Sequence, residues 1–170
     1  MQVTRPLEKH HNRKNFDCGN ESLNRYIREL ASQDIKRGIS YCWVLSNENE
    51  EILGYFTLSN AIIRIENLPQ DLKKSFSLHS QEFPATLIGR LARDNSVKSH
   101  GIGAILLMEA LELCYKVARS EIASIGVIVD PVDEKATAFY AKFGFRILPD
   151  INRMFLPMRA VKILIEGSQN

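Results

Sequence analysis

The stretch from Leu87 to Ala118, LIGRLARDNSVKSHGIGAILLMEALELCYKVA, limits the fold more than any other part of this 170-residue chain. It reads as strand, loop and helix. Leu87, Ile88, Leu91 and Ala92 form the short apolar run that a buried or half-buried strand requires. Asp94-Asn95-Ser96 is turn chemistry. Beyond Gly103, residues Ala104, Leu107, Met108, Leu111, Cys114, Tyr115 and Ala118 recur at steps of three and four. Glu109, Glu112, Lys116 and Arg119 share the opposite face, so the spacing predicts a long amphipathic helix.

Two glycines, Gly101 and Gly103, stand in the last turn before that helix. The first N–H groups of a helix have no internal partner, and the helix dipole puts partial positive charge there. Without a Cβ at either glycine, a phosphate can approach those N–H groups closely. The stretch is suited to a phosphate or diphosphate; a tight loop that only packs helix on strand is the alternative. A P-loop is excluded, because no Lys-Ser/Thr pair follows Gly103. A dinucleotide fingerprint is excluded, because it needs a third glycine and an early place in a βαβ unit.

Length bounds the chain to a single domain, 1–170. A hydrophobic content of 45% with 25% charged residues places it among globular proteins, and a net charge of +2 implies no strong overall field. Three widely spaced cysteines, Cys18, Cys42 and Cys114, form neither a C-x-x-C nor a Cys/His cluster. No disulfide framework and no metal site is expected. Met1 to Asn15 is polar and basic, and no run approaches a membrane span. The expected compartment is a reducing cytoplasm.

The remaining segments read in order. Val3 marks an edge strand or irregular lead-in. Asp17-Cys18-Gly19-Asn20 is a turn, and Asn20 or Ser22 can cap a helix carrying Leu23, Tyr26, Ile27, Leu30 and Ala31, stopped by Gly38. Arg25, Arg28, Lys36 and Arg37 lie off its apolar stripe, as a solvated surface or as contacts to an anionic substrate. Tyr41–Leu45 and Ile52–Leu58 form a hairpin. Ala61–Glu66 extends a strand or begins another. Asn67–Pro84 is turn-rich, with a short helix around Asp71–Phe76; His79, within it, is given no role. Ile122–Val129 is a buried strand, Asp133 caps a helix with Ala136, Phe139, Tyr140 and Phe143 on one face, and Gly144 ends it. Phe145–Leu148 and Met154–Ala160 close the sheet. The order implies an α/β (α+β) fold built on a single sheet with helices on both faces.

Two motifs carry a resemblance. Lys98 to Gly103 resembles the Q/R-x-x-G-x-G/A diphosphate loop of the GNAT acetyltransferase family, with Lys98 in place of Gln or Arg. Asp133-x-x-Ala136-x-x-x-Tyr140-x-x-x-Gly144-Phe145 resembles the family's N-x-x-A-x-x-x-Y-x-x-x-G-F, with Asp133 in place of Asn. Together they cover Leu87 to Phe145. The resemblance implies a mixed, mostly antiparallel sheet with a splayed central strand pair, and acetyl-CoA as cofactor. It places Lys98, Ser99, His100, Gly101, Ile102, Gly103 and Ala104 at the diphosphate and Leu91, Ala92 and Arg93 along the pantetheine. Phe143 joins the cofactor contacts, a backbone N–H near Leu91 or Ala92 faces the developing oxyanion, and Tyr140 is the general acid for the departing thiolate. Packing of Tyr140 with Phe139 and Phe143 in the core is the other reading of its position.

A narrower resemblance lies in Phe16-x-Cys18-Gly19-x-x-x-Leu23-x-x-Tyr26 and Gly89-Arg90-Leu91-Ala92. Both are similar to the toxin branch of the family, whose members acetylate the amino group of aminoacyl-tRNA and block translation. The resemblance implies a ribbon-helix-helix antitoxin as partner and is compatible with a homodimer. Candidate tRNA contacts are Lys36, Arg37, Arg90, Arg93, Arg146 and Arg153. An acetyltransferase for a small amine or peptide N-terminus, and a CoA-binding module without turnover, are the alternatives. The amine chemistry favours an α-amino substrate. Such a group has a pKa of about 7.7–8.0, lower still once its carboxylate is esterified, whereas a lysine near 10.4 is about a thousandfold less available as the free base.

Overall fold

The computed structural model describes residues 3–76, 80–149 and 151–168. His79 lies outside the described residues. The chain resolves into two compact units, Met1–Ser59 with Ile88–Ala110 and Asn60–Leu87 with Leu111–Asn170. The elements are β1 (Arg5–Pro6), α1 (Glu21–Arg25), α2 (Ala31–Lys36), β2 (Tyr41–Ser46), β3 (Ile52–Arg64), α3 (Gln70–Lys73), β4 (Glu82–Arg93), α4 (Ile102–Ser120), β5 (Gly126–Val129), α5 (Glu134–Ala141), β6 (Arg146–Ile147), β7 (Met154–Pro157) and α6 (Met158–Ser168). A single π turn, Tyr26–Leu30, joins α1 to α2. Strands follow the order β1-β2-β3-β4-β5-β7-β6 in one seven-stranded sheet.

In the first unit, β2 pairs antiparallel with β3 from Tyr41↔Leu58 to Ser46↔Ile52, and β1 adds a short antiparallel edge at Arg5↔Val44. This is the expected hairpin. Asn20 caps α1 by accepting the Leu23 N–H at 3.2 Å. Gly38, at φ +68°, follows the C-terminus of α2, where a left-handed residue is best filled by glycine. The apolar faces of these elements bury Phe16, Tyr26, Ile27, Val44, Ile52 and Tyr55 in one cluster.

In the second unit, β7 lies between β5 and β6, antiparallel to both, with Gly126↔Pro157 and Ile147↔Met154 at the ends of the ladders. Its core gathers Ile63, Leu68, Ala85, Ile128, Leu148 and Phe155. Gly126 is required by packing: a Cβ there would collide with the Phe155 ring and the Leu156 carbonyl.

Four expectations need correction. The strand expected at Ile122–Val129 is only Gly126–Val129, because α4 runs on to Ser120 and leaves Ile122 60% exposed. The closing strand ends at Pro157, and Met158–Ser168 is helical, with Val161 and Ile165 buried one turn apart. The strand around Leu87–Ala92 begins as early as Glu82, inside the stretch expected to be turn-rich. Glu109 does not lie on a solvent face. It is 8% exposed, and its carboxylate accepts the Val3 N–H at 2.8 Å, the Thr4 N–H at 3.0 Å and the Thr4 hydroxyl at 2.6 Å. Three donors on one carboxylate make its burial tolerable.

Candidate active site

Within the first unit, Asp94 ends β4 and caps a 3₁₀ turn, Asn95–Val97, by accepting the Ser96 N–H at 2.9 Å. Lys98, Ser99, His100 and Gly101 follow, all exposed, and α4 begins at Ile102. Gly101 has φ +68°, and no atom stands within 4 Å of where its Cβ would be. The His100 N–H donates to Val97 O at 3.2 Å, and the Ala104 N–H to Gly101 O at 3.0 Å. Among the described residues, none accepts from the N–H groups of Ser99, Gly101, Ile102 and Gly103. Of the seven loop residues expected at the diphosphate, Lys98 to Ala104, four keep free amides, since the N–H groups of Lys98, His100 and Ala104 are used inside the loop. Four unengaged N–H groups, open space over Gly101 and a 19-residue helix behind them form a donor set that fits a diphosphate. Before the loop, Ala92 is buried while Leu91 and Arg93 are half-buried on β4.

In the second unit, Asp133 caps α5 through the Ala136 N–H at 2.7 Å. This replaces the expected Asn with a residue of the same capping ability. Tyr140 is 8% exposed, lies 5.2 Å edge-on to Phe139 and 5.4 Å from Phe145 between ring centroids, and has its phenol pushed up to about 12 by burial. Desolvation disfavours the phenolate, so Tyr140 carries its proton throughout the neutral range. Phe143 is half-buried and packs on Phe139 at 5.3 Å, not on Tyr140. Gly144, at φ +87°, ends the helix as expected.

The six candidate tRNA cations divide. Lys36 and Arg37 are exposed at the end of α2. Arg93 is half-buried. The Arg90 guanidinium carbon sits over the Tyr26 ring, 3.6 Å from its centroid, where a cation meets the negative face of the ring. Arg146 grips Asp71 with two bonds of 2.7 and 3.0 Å, and Arg153 grips Asp130 with two of 2.7 and 3.0 Å. These two charges are already met by carboxylates, which makes them weak phosphate ligands.

Two groups escaped the sequence reading. One is a polar network joining Asp17, Asn24 and Asp94, of which the sequence showed only the two separate turns at Asp17 and Asp94. The other is His10, His11 and Glu50, whose polar atoms lie within 4.8 Å of one another. His11 Nδ1 accepts the Glu8 N–H at 3.0 Å, so the proton of the neutral ring sits on the buried Nε2. That nitrogen has no lone pair to offer, and the group makes a poor metal site.

Free amides at a helix start and a buried, protonated phenol suit an enzyme that takes a diphosphate-tailed donor. The sequence decides which: residues 6–145 match the model of the acetyltransferase (GNAT) family, and the chain belongs to that family. It is an N-acetyltransferase that takes its acetyl group from acetyl-CoA. The chain is 28% identical over 151 residues, 88% of each protein, to a tRNA-acetylating toxin of Mycobacterium tuberculosis. Among solved structures it resembles AtaT complexed with acetyl-methionyl-tRNAfMet, at TM-score 0.87 and 26% identity over 95% of this chain and 97% of that one. It resembles a tyrosine-to-phenylalanine mutant of KacT at TM-score 0.86 and 27% identity, over 96% and 99%. It resembles AtaTR bound with acetyl-CoA at TM-score 0.81 and 26% identity, over 95% and 96%.

Proposed function

We propose that this chain is a toxin that acetylates the α-amino group of aminoacyl-tRNA and so blocks translation. The near full-length likeness to AtaT complexed with acetyl-methionyl-tRNAfMet carries the reading, and the relative from Mycobacterium tuberculosis supports it.

Acetyl-CoA supplies, when bound, an acetyl group activated as a thioester. The N–H groups of Ser99, Gly101, Ile102 and Gly103 hold the diphosphate. Leu91, Ala92 and Arg93 would lie along the amide-bearing arm, and an N–H of β4 near Leu91 or Ala92 would stabilise the oxyanion; losing one such donor typically costs about 10²–10³ in rate. Tyr140 holds a proton for the sulfur that leaves. An esterified α-amine is largely neutral at physiological pH and attacks without a dedicated base. Lys36, Arg37, Arg90 and Arg93 contact tRNA phosphate, which makes tRNA use salt-sensitive.

The chain is a single N-acetyltransferase domain that works in the cytoplasm, where charged tRNA is found. Among the described residues no helix is long and apolar enough to cross a membrane. Its partners are a neutralising antitoxin of the ribbon-helix-helix class and a second copy of the chain in a homodimer. The likeness to AtaT bound to the C-terminus of its antitoxin AtaR supports an antitoxin partner; sedimentation tests the homodimer.

The test is acetyl transfer onto total charged tRNA, with uncharged tRNA and free amino acids as controls. Product only on charged tRNA is expected. Acetylation of free amines, with charged tRNA untouched by active enzyme, overturns the reading in favour of a small-amine acetyltransferase.

A further inference from the structure

The segment Phe16–Tyr26 has no part in the chemistry above, yet it is wired to the loop that carries the four free amides. Asn24, 3% exposed, uses both ends of its amide: Oδ1 accepts the Cys18 N–H at 2.9 Å, and Nδ2 donates to Asp17 Oδ1 at 2.9 Å. Asp17 Oδ1 also accepts the Gly19 N–H at 2.9 Å. The main chain of Asp17 turns the other way. Its N–H donates to Asp94 Oδ2 and its carbonyl accepts the Asn95 N–H, both at 2.8 Å. Asp94 in turn receives the Ser96 N–H and hydroxyl on Oδ1, at 2.9 and 2.6 Å, and gives its own N–H to Leu53 O at 2.8 Å. Gly19 has φ +82°, with the Asn95 side chain 3.6 Å from its absent Cβ.

We infer that Asp17 and Asn24 are positioning residues for the cofactor loop. They fix Asp94 and Asn95, and through them the path of Lys98 to Gly103, in the geometry that presents its amides. Three facts point this way. Each bond in the chain from Asn24 to Ser96 is short. Asn24 is buried with its bonds made, so the segment has one low-energy arrangement. The network reaches the turn that opens the loop and ends there, before the amides left for a ligand. An untethered loop would have to be ordered by the ligand itself, at the expense of affinity. This also gives the Phe16–Tyr26 motif a physical reason to accompany the glycine loop. The inference rests on the reading of Ser99 to Gly103 as the diphosphate site.

Calorimetric titration of the full chain with coenzyme A tests it, alongside steady-state kinetics on charged tRNA. Asp17→Ala removes two side-chain bonds and Asn24→Ala three, and each should raise Kd and KM for the cofactor about 5–20-fold, with kcat within about twofold. Asp17→Asn keeps an acceptor oxygen and should bind like the parent. Asp17 is exposed, so its variants keep the fold even where Asn24→Ala does not; the melting temperature of each reports this. Parental Kd in Asp17→Ala overturns the inference, as does equal loss in Asp17→Asn and Asp17→Ala, or a fall in kcat with KM unmoved. Failure of the parent protein to bind coenzyme A overturns instead the reading of the loop.

Discussion

Replacing Tyr140 with Phe removes one oxygen from a side chain that is 8% exposed and packed on two rings. The fold should tolerate this, since the ring and its contacts remain. The phenol stands at about 12. Complete proton transfer to a thiolate, whose ordinary pKa is near 8.5, would therefore be uphill. Tyr140 must act chiefly by donating a hydrogen bond to charge developing on sulfur, passing its proton on as the attacking nitrogen sheds one. General acids contribute about 10²–10⁴ in rate, and the high phenol pKa places Tyr140 in the lower half, about 10²–10³ in kcat, or about 2.7–4 kcal/mol. Rapid-quench kinetics with charged tRNA, paired with calorimetry for acetyl-CoA, separates the terms. The expected pattern is the full loss in kcat with Kd within about twofold. A kcat within threefold of the parent would refute the role. A matching rise in Kd would mean that Tyr140 shapes the cofactor pocket instead.

Other outcomes follow from the same geometry. Because burial holds the Tyr140 phenol at about 12, kcat/KM should rise with the substrate amine between about pH 6 and 8 and show no falling limb from tyrosine below about pH 11; a descending limb near pH 9–10 would argue against the assignment. The same shift favours folding below pH 10, and this contribution is lost as pH climbs through 12, which alkaline denaturation reads. Glu109→Ala orphans two N–H groups and a hydroxyl and should cost about 2–4 kcal/mol in urea unfolding; Glu109→Gln should recover part of it. Gly126→Ala drives a methyl into the Phe155 ring and should lower stability by about 1–3 kcal/mol, visible as a fall in Tm.

What could be read from the sequence was what local chemistry decides. Asn20 and Asp133 are capping residues followed by apolar stripes, and Gly38 and Gly144 supply left-handed stops; each signal spans a few residues. The two-glycine helix start and the Tyr140 face were visible for the same reason. Long-range partners were not. Glu109 looks like a solvent residue because its donors, Val3 and Thr4, are more than a hundred positions away. Arg146 and Arg153 read as free cations because Asp71 and Asp130 sit 75 and 23 positions off in sequence. The clamp from Asp17 to Asp94 spans 77 residues. The first residues of α6, Met158–Ala160, read as strand because Met154–Ala160 is apolar without a clear period; the helical spacing lies further on, in Val161 and Ile165.

The account stands or falls on whether a diphosphate rests on the loop amides. Amide shifts of the ¹⁵N-labelled protein, followed while coenzyme A is added, measure this directly. The N–H signals of Ser99, Gly101, Ile102 and Gly103 should move most and saturate together at the calorimetric Kd, while those of His100 and Ala104, already bonded within the loop, move less. Saturable binding that leaves these four signals in place would contradict it.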